Sequence, residues 1–323
     1  MGEAGQHASR LSEVRLLEVG PRDGLQNEAT HLPAQVKCEL IERLAQAGLR
    51  HIEAGAFVSP ERIPQMKDSD RVLALLRESS AVSGVELSVL TPNLQGFARA
   101  AAAGADRVAV FAACSETFSQ KNINCSIRES LARFAPVLQA ARKANLPVRG
   151  YLSCVVACPY EGPIAPATVA GLAHELVQLG CYEVSLGDTI GVGTPGTVLP
   201  MLEAVAQRVP AAKLAGHFHD TFGMAVANAY AAYGFGLRAF DASVAGLGGC
   251  PYAPGASGNV ATEDLVYLFE DMGVATGVDL AKLMDCGSWI CAKLGRASSS
   301  RVAQSHAARK HLKKTQGARS AQV

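Results

Sequence analysis

No apolar run in the chain approaches the roughly 18 residues needed to cross a bilayer, and the opening MGEAGQHASRLSEVR contains acids but no apolar core of the kind a secretory leader needs. Gln6 also breaks the myristoylation pattern. The nine cysteines include no Cys-x2-Cys pair, which argues against the common zinc and thioredoxin-like motifs and suits free thiols in a reducing compartment. The nearest pair, Cys154 and Cys158, reads as two small strand-end residues rather than a disulfide. Basic residues are scarce as a patch. The net charge is +1, yet seven Lys and Arg and no acid occur from Arg296 onward, so the body before it carries −6. A nucleic-acid binder would carry its positive charge on folded elements. A cytoplasmic protein with neither a membrane nor a nucleic-acid partner is therefore expected.

With 49% hydrophobic, 18% charged and 6% aromatic residues, the composition fits a soluble enzyme with a large aliphatic core. Short β-branched and apolar runs occur at 14–20, 51–57, 85–91, 107–112, 148–154, 182–188, 213–220 and 240–246, alternating with longer helical patterns. The first helical stretch, 33–48, starts at Pro33, ends at Gly48 and places Val36, Leu40, Ile41 and Leu44 on one face. Similar patterns fill 124–145, 166–180, 195–208, 224–233 and 262–272. Eight β/α units close most naturally into a (β/α)8 barrel, an α/β fold whose strand C-termini carry the active face. An open doubly wound sheet would want a glycine-rich phosphate cradle after the first strand, and GPRDGLQNE is a poor one. The expected organisation is a flexible 1–13, a barrel domain over 14–295 with an extra C-terminal helix at 278–294, and a disordered basic tail over 296–323.

Chemistry concentrates at strand ends. In HFHD, His217 and His219 are two apart, so on a strand they project to the same side, where they either share a metal or serve as satisfied core histidines. Arg22 and Asp23 end the first strand: a surface ion pair in one reading, a charge clamp for an enolate and a carboxylate ligand in the other. AGLGGCPYAPGASGN (245–259) reads as a lid or a plain flexible connection, with Cys250 among glycines as a proton donor. Asn259 is either a helix N-cap or a ligand. Glu53, inside the second strand, needs a partner there, and Arg22 is the obvious one. Asp188 is either a turn former or an acid behind the ligands.

These residues lie in blocks that resemble the 3-hydroxy-3-methylglutaryl-CoA lyases, within the wider group of metal-dependent barrel lyases and Claisen-type synthases. The blocks are EVGPRDGLQNE (18–28), IEAGAFVSPERIPQM (52–66), CSETFSQKNINCSI (114–127), GYLSCVVACPYEG (150–162), SLGDTIGVGTPG (185–196), HFHDTFGMAVAN (217–228) and GLGGCPYAPGASGNVATEDL (246–265). The resemblance implies a divalent cation, Mg²⁺ or Mn²⁺, on Asp23, His217, His219 and Asn259, a donor set suited to six-coordination with room for substrate oxygens. It further implies Arg22 as the enolate-stabilising arginine, Glu53 as the acid orienting it, His217 as proton carrier and Cys250 as the lid thiol. Tyr151, Ser185 and Asp188 match positions near the family's substrate, and Lys121 and Asn122 are candidates for the phosphates of an acyl-CoA thioester or simply a solvated surface. A homodimer is expected from the same resemblance.

Three rival readings remain at this level. One is a lyase for a longer-branched 3-hydroxyglutaryl-CoA. Another is a Claisen-type acyl-CoA synthase, although such synthases usually carry large C-terminal regulatory domains and this chain has room only for a helix and tail. Two histidines and a carboxylate also describe a non-haem iron oxygenase, against which the barrel blocks argue.

Overall fold

The computed structural model describes residues 13–249 and 258–320, with side chains as far as 310. Eight strands run parallel and close on themselves in chain order: β1 (Arg15–Glu18), β2 (His51–Ala56), β3 (Glu86–Leu90), β4 (Arg107–Ala113), β5 (Val148–Ser153), β6 (Glu183–Asp188), β7 (Leu214–Phe218) and β8 (Ala239–Ala242), the last pairing with β1. This is the (β/α)8 barrel expected. The outer layer consists of α1 (Ala34–Gln46), α2 (Ser69–Arg77), α3 (Leu94–Ala102), α4 (Glu116–Ile123), α5 (Ile127–Lys143), α6 (Pro166–Leu179), α7 (Pro195–Ala206), α8 (Ala225–Phe235) and α9 (Thr262–Asp271), with α10 (Leu280–Leu294) and α11 (Arg301–Ser320) following.

Burial follows the two periodicities. On α1, Leu40, Ile41 and Leu44 are fully buried against the sheet while Val36 is half-buried, and each such side chain contributes roughly 1.5–3 kcal/mol. Along β5 and β6 every residue is buried, because the helical layer covers one face and the barrel interior receives the other. Register brings Arg149 beside Glu183, Tyr151 beside Ser185, Gly187 beside His217 and His217 beside Asp241. Polar side chains thus run along the interior from Arg149 and Glu183 near the strand N-termini to His217 and Asp241 toward the C-termini.

Three helices escaped the sequence reading. α2 and α3 are each nine residues long, short of three full turns, and α4 lies just before the pattern read at 124–145. Asn124 separates those two in the left-handed conformation (φ 52°), after which Ser126 and Glu129 form a reciprocal cap on α5. Eight cysteines are described, all free and buried, Cys154 and Cys158 included. No helix of the described residues is long and apolar enough to cross a membrane. Cys250, with the rest of 250–257, and residues 1–12 of the expected flexible N-terminus lie outside the described residues.

The expected disordered tail is corrected: Arg301–Ser320 is helical. Its first turn is capped from elsewhere in the chain. The buried Asp264 carboxylate, in the first turn of α9, accepts from Ser300 Oγ (2.7 Å), Arg301 N (3.1 Å) and Val302 N (3.0 Å), and Ser300 Oγ accepts from Ala303 N (3.0 Å). A basic, aromatic-poor composition resembles disorder, but the segment is also rich in good helix formers and its cap lies 37 residues before Arg301 in the chain. Replacing Asp264 by Ala should cost about 1–2 kcal/mol and expose the chain near Arg301 to trypsin. Unchanged denaturation together with unchanged protection of that site would contradict the capping role.

Candidate active site

After β1 the chain makes one wide helical turn, Gly20–Gly24, that carries Arg22 and Asp23 to the strand C-terminal end. Gly24 permits this packing: a Cβ there would stand 2.8 Å from Leu247 Cβ of the loop after β8. Arg22 is buried and doubly held, its Nε donating to Glu53 Oε2 (2.6 Å) and its Nη1 to Asp23 Oδ1 (2.7 Å). Burial opposes the charge, but Glu53 and then Asp23 outweigh it and hold the guanidinium protonated. The remaining guanidinium hydrogens are not engaged by these two acids.

The two histidines project to the same side, as their spacing predicted, and Asp23 stands with them. His217 Nε2 lies 3.3 Å from His219 Nε2 and 4.0 Å from Asp23 Oδ2, and the three residues offer donor atoms all within 4.8 Å of one another. Asn259 closes the group, although its Nδ2 rather than its oxygen faces Asp23 Oδ2 (2.9 Å), while also donating to Leu247 O (3.2 Å). The group fits a divalent cation on its own geometry. Two imidazole nitrogens face each other with a carboxylate at hand, and cis donors bonded to one cation at about 2.1 Å stand about 3 Å apart. Burial, and then the neighbouring His217, push His219 down to about 4, leaving it in the neutral form that binds metals. Although burial raises the Asp23 carboxyl, Arg22 and the two imidazoles bring it down to about 2, so it is anionic.

Arg22, Asp23, His217 and His219 line a cavity of about 680 Å³, to which Tyr151 and Ser185 also contribute. The buried Tyr151 ring has two guanidinium groups near it, Arg22 at 5.3 Å and Arg149 at 5.0 Å, and its hydroxyl finds no hydrogen-bond partner among the described residues. Lys121 and Asn122 line the cavity too, as do Arg62 and Arg133, giving it a basic flank. Asp188 does not line it: its carboxylate is turned into the following loop, accepting from Gly193 N (2.8 Å), and burial pushes it up to about 6. The turn-forming half of its double reading describes this position.

Sequence reasoning missed four buried ionisable groups: Asp241 and Arg149, and Glu18 and Glu263. Asp241 on β8 accepts from Arg149 Nη1 (2.9 Å) and Nη2 (2.8 Å) and from Ser185 Oγ (2.6 Å), and stands 3.1 Å from His217 Nδ1. The argument applied to Glu53, that an acid amid apolar strand residues must have a partner, would have found it. Glu18 and Glu263 tie together the turns after β1 and β8. Glu18 accepts from Gly20 N (2.8 Å), Val244 N (2.9 Å) and Thr262 Oγ (2.7 Å), and Glu263 accepts from Ala245 N (2.9 Å). Both are fully buried, and burial above all pushes Glu18 up to about 7 and Glu263 up to about 8. Between their ordinary value and these, the folded chain keeps protons that the unfolded chain has lost. Stability should therefore fall as pH rises from about 5 to 8, by at most about 1.4 kcal/mol per pH unit for each group. In denaturant titrations across that range, Glu263→Gln should show a shallower decline than the wild type; parallel profiles would contradict the assignment.

The HMGL-like family model matches residues 13–290. Hydroxymethylglutaryl-CoA lyase of Pseudomonas mevalonii is 56% identical over 299 residues, covering 93% of this chain and 98% of the relative. The 3-hydroxy-3-isohexenylglutaryl-CoA/hydroxy-methylglutaryl-CoA lyase of Pseudomonas aeruginosa is 56% identical over 292 residues, covering 90% and 96%. A crystal structure of hydroxymethylglutaryl-CoA lyase from Pseudomonas aeruginosa superposes with a TM-score of 0.89 at 55% identity, covering 93% of this chain and 99% of that one. With the barrel, the site and relatives matched along nearly their whole length, the chain belongs to the HMGL-like family.

Proposed function

We propose that the protein is a carbon–carbon lyase that cleaves 3-hydroxy-3-methylglutaryl-CoA to acetoacetate and acetyl-CoA with the help of a divalent cation. The observation that carries this reading is Arg22, fixed by Glu53 immediately beside the Asp23–His217–His219 group in one cavity. A retro-Claisen cleavage needs both functions side by side: acidity at the tertiary hydroxyl, and positive charge where the thioester oxygen becomes an enolate. Asp23, His217 and His219 would hold Mg²⁺ or Mn²⁺, joined by Asn259 once its amide turns its oxygen inward. Bound there, the cation supplies Lewis acidity that lowers the pKa of the substrate hydroxyl.

The protein side of the reaction follows from the contacts. A base takes the hydroxyl proton, the O–H electron pair forms the new ketone, the C2–C3 bond breaks, and its electrons pass to the thioester as an enolate. Arg22 meets that charge with the guanidinium hydrogens left free by Glu53 and Asp23, and its delocalised charge needs no reorganisation as the enolate forms. On this reading Cys250, in the segment that follows β8 in sequence, returns a proton to the carbon. The basic flank of Arg62, Lys121 and Arg133 suits the phosphates of an acyl-CoA.

A longer branch at C3 is favoured as a second substrate by the apolar part of the cavity, where Val58, Leu90, Phe111, Phe118 and Leu152 face the space, and by the printed name of the Pseudomonas aeruginosa relative. Acetyl-CoA release from 3-hydroxy-3-methylglutaryl-CoA should require added Mg²⁺ or Mn²⁺, stop with chelator and consume no oxygen. Oxygen uptake instead would favour an iron oxygenase. Arg22→Gln should lower kcat about 10³-fold or more while Mn²⁺ binding persists, and near-normal turnover in that variant would remove the arginine from the mechanism.

A further inference from the structure

Behind His217 the barrel interior carries charges that the chemistry above does not use and that do not line the cavity. Asp241, 2% exposed, accepts a two-point grip from Arg149 and a third hydrogen bond from Ser185, all within 2.9 Å. Arg149 is fixed in turn, its Nε donating to Glu183 Oε1 (2.7 Å), and Glu183 is also bridged by Arg15 at the strand N-terminal end of the barrel. A string of alternating charges thus runs through the barrel and ends 3.1 Å from His217 Nδ1.

An ionised carboxylate can only accept hydrogen bonds. Both oxygens of Asp241 take hydrogens from the guanidinium of Arg149, a two-point contact made by the ionised carboxylate. The imidazole nitrogen facing Asp241 therefore has to bear the hydrogen. The lone pair then belongs to Nε2, the atom directed at His219 and Asp23.

We propose that Asp241 and Arg149 are positioning residues of the site: Asp241 locks His217 in the Nδ1–H form so that Nε2 is offered to a divalent cation, and Arg149 anchors Asp241 from the far end of the barrel. Their part in cation binding rests on the metal reading given above. Neither touches substrate. A metal-bound histidine is oriented by the partner of its other nitrogen, and loss of such a partner costs about 10- to 100-fold in affinity.

Metal-free protein labelled with ¹⁵N-histidine reports the tautomer directly, and Mn²⁺ titration followed by electron paramagnetic resonance reports affinity. Wild type should show His217 as Nδ1–H. Asp241→Asn should lose that signature, becoming a mixture or the Nε2–H form, and bind Mn²⁺ about 10- to 100-fold more weakly. Because this variant leaves Arg149 buried beside a neutral amide, Arg149→Lys is measured alongside. Keeping the charge but losing the two-point grip, it should retain the tautomer and bind Mn²⁺ about 3- to 10-fold more weakly. An Nε2–H form in wild type, or unchanged tautomer and affinity in Asp241→Asn, overturns the role of Asp241. Unchanged affinity in Arg149→Lys overturns that of Arg149. If wild type binds no Mn²⁺, the metal reading falls, and the tautomer still decides whether Asp241 sets the ring.

Discussion

A charged side chain pointing into a closed barrel has little water to turn to, so it must find its counter-charge on a neighbouring strand. The interior of this protein is organised by that constraint. Arg22 is shared by Glu53 and Asp23, and Arg149 by Glu183 and Asp241. Breaking one such buried pair costs about 3–5 kcal/mol, so each arginine and its acids are kept or lost together. The arrangement stiffens the side chains around the cavity, and Arg22 arrives there with two of its edges already engaged.

Barrel closure supplies the rest. Strand β8 pairs with β1 and β7, so Asp23, His217 and Asn259, up to 236 residues apart in sequence, meet at one mouth. The buried acids Glu18 and Glu263 hold the same seam together by taking backbone hydrogens from the turns after β1 and β8. Next to this seam Ala245 and Gly246 take left-handed conformations, so the turn that leads toward Cys250 is held against its own preference by those buried contacts. Stability and the placement of ligands are one problem here.

Much of this was legible in the sequence. Eight β-runs with helical patterns between them predicted the barrel, and the two-residue spacing of His217 and His219, at the end of the seventh run, placed both rings on one side of a strand. Glu53 was legible because an acid flanked by Ile52 and Ala54 must be paired. Asp241, flanked by Phe240 and Ala242, carried the same signal without its partner being evident, since Arg149 lies 92 residues earlier in the chain. The helix over 301–320 was illegible for a related reason: its cap is a side chain of α9. What local pattern misses, in each case, is a hydrogen bond made across the fold.

The central claim is that one cation sits among Asp23, His217 and His219. Anomalous X-ray diffraction from crystals soaked in Mn²⁺ locates such an ion without reference to activity. The account predicts one dominant peak within about 2.4 Å of an Asp23 oxygen and of Nε2 of both histidines. A fully occupied manganese elsewhere, with this group empty, would contradict it.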